Sequence, residues 1–182
     1  MSDEKTGVVF RHTVETLIHN VLRAHDLLTP DAIAQLRALG VEPTNVHDIP
    51  FSTWTKLLSC CAAISAPGKS GDDALVELGR RWIDGYIETF MGKSTLMIAR
   101  LLGPKKMLMK MADNWRTVND FYVAKTTAVS DRHVEIELNV GGVVRHFNTG
   151  VILQMCGKIG VTSCTVDTRE VPEGTHFTVR WG

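Results

Sequence analysis

The chain has 182 residues, 44% hydrophobic and 22% charged, and its 20 basic and 20 acidic residues cancel to a formal charge of zero. A chain of this size can bury roughly 70% of the surface it exposes when unfolded, so it needs no disulfide or metal staple. That composition excludes a disordered or membrane class. A dedicated nucleic-acid binder needs a basic excess to displace counterions, and the neutral balance argues against one. The densest basic group is Lys105, Lys106, Lys110 and Arg116.

After Met1 come Ser2, Asp3, Glu4 and Lys5 with no apolar run, so no secretory leader is expected. No stretch approaches the ~20 apolar residues of a membrane span. Cys60, Cys61, Cys156 and Cys164 therefore read as reduced thiols of a cytoplasmic protein.

The first predicted helix covers about 11–28, with Val14, Leu17, Ile18, Val21 and Leu22 on one face. Thr29 and Pro30 then read as an N-cap and first helical position, and Gly40 ends that short helix. A loop over 41–50 leads to a helix capped by Ser52 that buries Trp54, Leu57, Leu58, Cys61 and Ile64 or Ser65. The strongest helical pattern spans 71–91. Ser70 and Asp73 form a short capping box, and Leu75, Leu78, Trp82, Tyr86 and Phe90 run down one side. Gly79 and Gly85 cost helix propensity, which a close backbone neighbour would offset. Gly92 is expected to break the helix, followed by a helix from about Ser94 to Leu102, a break at Gly103-Pro104 and a Met-rich helix to about Ala112.

Past Asn114 the period shifts toward two, with strands predicted within 115–129 and over 133–140. Gly141-Gly142 reads as a hairpin turn into a strand at Val143–Phe147, after which Thr149 caps a helix ended by Gly160. Strands at 161–170 and 175–181, joined at Pro172-Glu173-Gly174, close the chain. The expected fold is α+β: an N-terminal helical layer (about 11–112) on a C-terminal antiparallel sheet (about 115–181), with one helix inserted before the last two strands. A one-sided sheet needs a cover, so both halves are read as a single domain, 1–182.

Few motifs carry chemistry. Gly-Lys-Ser occurs at Gly68 and at Gly92, but Ala63 and Ile87 stand where a phosphate-binding loop needs its first glycine. Cys156, Cys164, His146 and His176 lack the close ligand pairs of a zinc site, so no metal and no cofactor is expected. His12, His19 and His25 share the first helix without metal-ligand spacing. Cys60 or Cys61 would need a base or positive field to act as a nucleophile, and core packing is the simpler reading. Lys105 to Met111 is the most unusual stretch. Lys106, Met107, Met109 and Lys110 are the candidate partner surface, weighed against a helix that packs its methionines inward.

The block from Leu78 to Pro104, with Asn114-Trp115-Arg116-Thr117-Val118-Asn119, Gly150-Val151-Ile152-Leu153 and Thr178-Val179-Arg180-Trp181, resembles a largely myxobacterial family of uncharacterised domains of this length. More distantly it resembles the superfamily of 4-vinyl reductase-type, haem nitric-oxide-binding and transport-particle-subunit domains. That resemblance implies helices followed by an antiparallel sheet, dimerisation and an apolar cavity. The Tyr-x-Ser-x-Arg haem pattern is absent, and no cysteine lies between Asp167 and Phe177 where the zinc ligands of such domains fall.

The sequence thus reads as a non-catalytic binding module with an apolar pocket between helices and sheet. Candidate lining residues are Trp54, Cys61, Tyr86, Trp115, Phe121 and Met155. The alternatives are a homodimeric scaffold or accessory protein-interaction module, and a cysteine-dependent enzyme.

Overall fold

Helix α1 (residues 11–25) changes pitch along its length: α over Arg11–Glu15, π over Thr16–Leu22, 3-10 over Arg23–His25. Its apolar residues Val14, Leu17, Ile18, Val21 and Leu22 are fully buried, as their spacing predicts. The computed structural model describes residues 7–182, without the side chain of Ala112; the segment read for a leader lies outside that range. A two-strand ladder, β1 (Val8–Val9) and β2 (Ile49–Pro50), ties the entry of α1 to that of the helix beginning at Phe51.

Helix α2 (Pro30–Ala38) starts as predicted: Thr29 Oγ1 accepts from Ala32 N at 3.2 Å, a cap worth about 1 kcal/mol. Helix α3 (Phe51–Ser65) begins one residue before Ser52, with Pro50 at its N-cap and no side-chain cap. Ser52 is therefore a helical residue and not a cap. Helix α4 (Gly71–Glu88) is capped by Ser70, whose Oγ accepts from Asp73 N at 3.3 Å and donates to Asp73 Oδ2 at 2.6 Å.

The helix break falls at Thr89 and not at Gly92. Thr89 Oγ1 accepts from Gly92 N at 3.0 Å, so α5 (Phe90–Met109) starts ahead of the glycine. Phe90 consequently leaves the buried stripe of α4 and stands 86% exposed. Gly103 (φ 73°) kinks α5 before Pro104, as predicted. Helix α6 (Met111–Trp115) follows.

Residues 116–123 form no strand, only turns, bends and an isolated bridge of Asn119 to Val9; the sheet begins at β3 (Ala124–Ser130) and continues through β4 (His133–Leu138). The predicted Gly141-Gly142 hairpin and the strand at 143–147 do not form. Gly142 (φ 60°) is the N-cap of α7 (Val143–Lys158), and Thr149 sits inside that helix with Oγ1 donating to Arg145 O at 3.0 Å. The reason is packing. Val144, Phe147, Val151, Ile152, Met155 and Cys156 form one continuous buried helical face, which overrides the strand preference of two adjacent valines.

Strands β5 (Cys164–Val171) and β6 (Gly174–Trp181) complete an antiparallel sheet in the order β3-β4-β6-β5. The core face pairs Val134 with Val179 and Ile136 with Phe177, all four fully buried. Each such side chain contributes about 1.5–3 kcal/mol. Helix α7, the end of α5 and α6 cover this face, and α4 crosses α7 on the side away from the sheet.

Candidate functional site

Where α4 crosses α7 the two backbones touch. A Cβ on Gly79 would overlap the Phe147 carbonyl oxygen, and one on Gly150 would overlap that of Val76. So close a crossing fixes what stands beside it: Trp82, Ile83 and Tyr86 on α4, and Phe147, Asn148, Val151 and Met155 on α7. Together with Trp54, Met107, Met111 and Trp115 these enclose a cavity of about 160 Å³. Met91, Asn114 and Thr117 are exposed residues on its wall and mark its mouth.

The aromatic wall is ordered by edge and face contacts. Trp82 stacks on Tyr86 with centroids 5.2 Å apart, and Phe147 meets Trp54 edge-on at 5.9 Å. The Trp82 indole donates to Thr13 O at 3.3 Å. Asn119, 2% exposed, organises the turn after α6: its Oδ1 accepts from Phe121 N at 3.2 Å and Tyr122 N at 2.7 Å, and its Nδ2 donates to Trp115 O at 3.3 Å. This side-chain staple delivers Trp115 and Tyr122 to the cavity. Tyr86 and Thr95 share a hydroxyl hydrogen bond of 3.2 Å that holds the start of α5 over the opening.

Polar character is concentrated at one point. Burial pushes the Tyr122 hydroxyl well above the usual phenol range, partly offset by the Asn148 amide and the Trp54 indole that face it. Asn148 is 2% exposed, and its amide is turned to the Tyr122 hydroxyl without meeting it in good hydrogen-bond geometry.

Of the six lining residues read from the sequence, Trp54, Tyr86, Trp115 and Met155 stand on the cavity wall, whereas Cys61 and Phe121 do not. Cys61 is fully buried in the core, two turns along α3 from Trp54, and Phe121 packs away on Phe51 at 4.7 Å. The cavity also lies among helices rather than between helices and sheet, since none of the described residues of β3, β4, β5 or β6 lines it. Sequence reasoning missed Trp82, Tyr122 and the asparagines. The available signal was Asn148 itself, an amide within the apolar stripe of Val144, Val151 and Ile152.

The Met-rich stretch does not form an outward apolar surface. Lys106 and Lys110 are both exposed, but Met107 is 4% exposed on the cavity wall and Met109 is half-buried, its carbonyl accepting from Thr126 Oγ1 at 3.0 Å. Most of the exposed large apolar side chains are instead on α5, at Phe90, Met91, Met97, Ile98 and Leu101.

Burial raises the thiols of both Cys60 and Cys61, and Cys60 Sγ donates to Gln35 Oε1 at 3.6 Å. Neither is held as the thiolate that nucleophilic chemistry requires.

Helices, an antiparallel sheet and a helix between its second and third strands give an α+β domain whose fold is like that of H-NOX domains. An oxygen-binding H-NOX domain related to soluble guanylate cyclases superposes with a TM-score of 0.66 at 17% identity, covering 93% of this chain and 92% of that one. A point mutant of the T. tengcongensis H-NOX gives 0.62 at 17% identity, covering 94% of this chain and 96% of that one. These likenesses establish the fold. The chain belongs to the family described as proteins of unknown function (DUF2378), whose model matches residues 7–182. No curated protein matches it.

Proposed function

We propose that the chain is a single-domain ligand-binding module that takes up a small apolar molecule in the cavity between α4, α7 and the α5–α6 arm. The observation that carries this reading is the void itself: about 160 Å³ walled by aromatic and methionine side chains. An engineered apolar cavity of about 150 Å³ stays dry and admits benzene or xenon, which sets the scale of a guest. Among the described residues none on the wall is an acid, a histidine, a lysine or a cysteine, which favours binding over catalysis.

Structures of this fold are described in terms of oxygen binding and protein-induced porphyrin distortion. The residues here do not fit a haem. The cavity is smaller than the roughly 300–1,000 Å³ of cofactor-sized pockets. Among the described residues no histidine or cysteine lines it to ligate iron, and no Arg or Lys lines it to meet the porphyrin carboxylates.

Titration of the protein with benzene, followed by the indole signals of Trp82 and Trp115, tests the reading. Saturable shifts that vanish in Val151→Phe, which fills the space, are expected. A wild-type protein that takes up no benzene overturns it.

A second reading, self-association as a homodimer, is favoured by the α5 face, where Phe90 is 86% and Leu101 83% exposed. Large apolar side chains this exposed on one helix commonly mark a contact surface. Sedimentation equilibrium tests it, and a monomer at high concentration excludes it. No helix among the described residues is long and apolar enough to cross a membrane.

A further inference from the structure

We infer that the outer face of α5 is a docking surface for an anionic lipid bilayer. Phe90, Met91, Met97, Ile98 and Leu101 are each more than half exposed. With about 3.6 residues per turn, Phe90, Met97 and Leu101 fall within about 40° of one another, and the buried Gly92 and Ala99 stand opposite them. Lys93 and Arg100, both exposed and seven residues apart, lie together along one flank of that stripe. The result is an apolar ridge edged by cations.

Charge decides what covers it. From Thr89 to Ala112 the chain carries Lys93, Arg100, Lys105, Lys106 and Lys110 and no Asp or Glu, although acids and bases balance over the whole sequence. Acids from outside the segment match two of the five: Lys93 Nζ stands 3.8 Å from Glu88 and Lys105 Nζ 2.8 Å from Asp131. Lys106 and Lys110 are exposed and make no ion pair among the described residues, and Arg100 Nε donates only to the Lys158 carbonyl, at 3.1 Å. The arm therefore keeps a positive excess beside its apolar ridge. That is the pattern of a helix lying in a membrane interface, with apolar side chains among the acyl chains and cations at the lipid phosphates. Helix α5 is not long and apolar enough to cross a bilayer, so it rests on the surface. A second copy fits the same face less well. A two-fold contact sets one surface against itself, so the cations of this arm would meet only cations across the interface. The inference does not depend on the cavity, and it competes with self-association for one face.

The full chain is sedimented with vesicles of phosphatidylcholine alone and of equal parts phosphatidylcholine and phosphatidylserine. Wild type is expected to bind the anionic vesicles at least about tenfold more tightly, and high salt removes the difference. Lys93→Gln with Arg100→Gln weakens that binding by about tenfold, and so does Phe90→Ser with Leu101→Ser. Lys125→Gln with Arg169→Gln, which removes the same charge from exposed positions on the sheet, leaves it within about twofold of wild type. Circular dichroism verifies that each variant keeps its helical content. Equal binding to both vesicle types, binding to neither, or equal losses in the sheet pair and the α5 charge pair overturns the inference. So does binding that survives the two serine changes. A wild type that ignores vesicles yet dimerises through Phe90 and Leu101 gives the face to a second copy and overturns it as well.

Discussion

Gly79 on α4 lies directly under the carbonyl of Phe147 on α7, with no room between them for a Cβ. The two helices meet backbone to backbone, and Gly150 makes the reciprocal contact with Val76. Gly79→Ala and Gly150→Ala are therefore expected to destabilise the protein by about 3 kcal/mol, overpacking outweighing the ~1 kcal/mol that alanine gains in helix propensity. Gly157, on the same helix as Gly150, has open space where a Cβ would stand and gives the opposite sign: Gly157→Ala stabilises by up to about 1 kcal/mol. Urea denaturation of the three variants checks the contrast.

The cysteines differ in reactivity. Hydrogen bonding from Cys156 and the Arg80 guanidinium draw the Cys164 thiol below its ordinary value against the effect of burial. Cys156, its partner, is driven up, as are Cys60 and Cys61 by burial. Thiolate is the reacting species, so Cys164 alkylates first, at a lower pH than Cys60. Arg80→Gln slows it about threefold, the order expected of a screened charge. Peptide mapping after timed iodoacetamide exposure reads both outcomes.

Acid stability should register Glu42. Arg37 donates to it through two nitrogens at 2.8 and 3.2 Å, with Thr44 adding a third contact, and its carboxyl is held down to about 2. A carboxylate depressed in the folded state contributes stability above its unfolded value, and that contribution is lost as pH falls toward 2. Glu42→Gln therefore lowers Tm slightly at pH 7, and its difference from wild type shrinks steadily as pH falls from about 5 through about 2. Both groups are exposed, so high salt reduces the effect at every pH. Thermal melts across that range test it.

The α5 face gives the fourth prediction. If two copies meet through Phe90 and Leu101, the double change to serine weakens the dimer by tenfold or more, since each large side chain contributes about 1.5–3 kcal/mol when covered. Sedimentation of both proteins over a concentration series measures the shift, and the helical content by circular dichroism stays unchanged because both side chains are solvent-facing.

What the sequence made legible was whatever rests on local chemistry. Thr29 and Ser70 capped the helices they were read to cap, and the β4 and β6 alternation matched the buried core. Gly79 and Gly85 marked close approaches, the latter against Asn20, whose Nδ2 donates to Gly85 O at 2.9 Å. Misreadings came where two local signals competed. Gly141-Gly142 between valines has the chemistry of a hairpin, and only the helical spacing from Val144 to Cys156 argues otherwise. Thr89 restarted a helix that the apolar period alone carried on to Phe90. The cavity was half visible: large aromatic side chains near element junctions included Trp54, Tyr86 and Trp115. The polar members were not, because the partner of each is fixed only by tertiary contact, as with Asn119 and the turn it staples.

Backbone contact between α4 and α7 has a mechanical corollary. That side of the cavity possesses no layer of adjustable side chains at the crossing and behaves as a fixed anvil. Accommodation of differently shaped occupants falls to Met91, Met107 and Met111 on the α5–α6 arm, whose unbranched thioethers re-sort with little strain. Tolerance in size thus belongs to one wall, and stereochemical demand to the other.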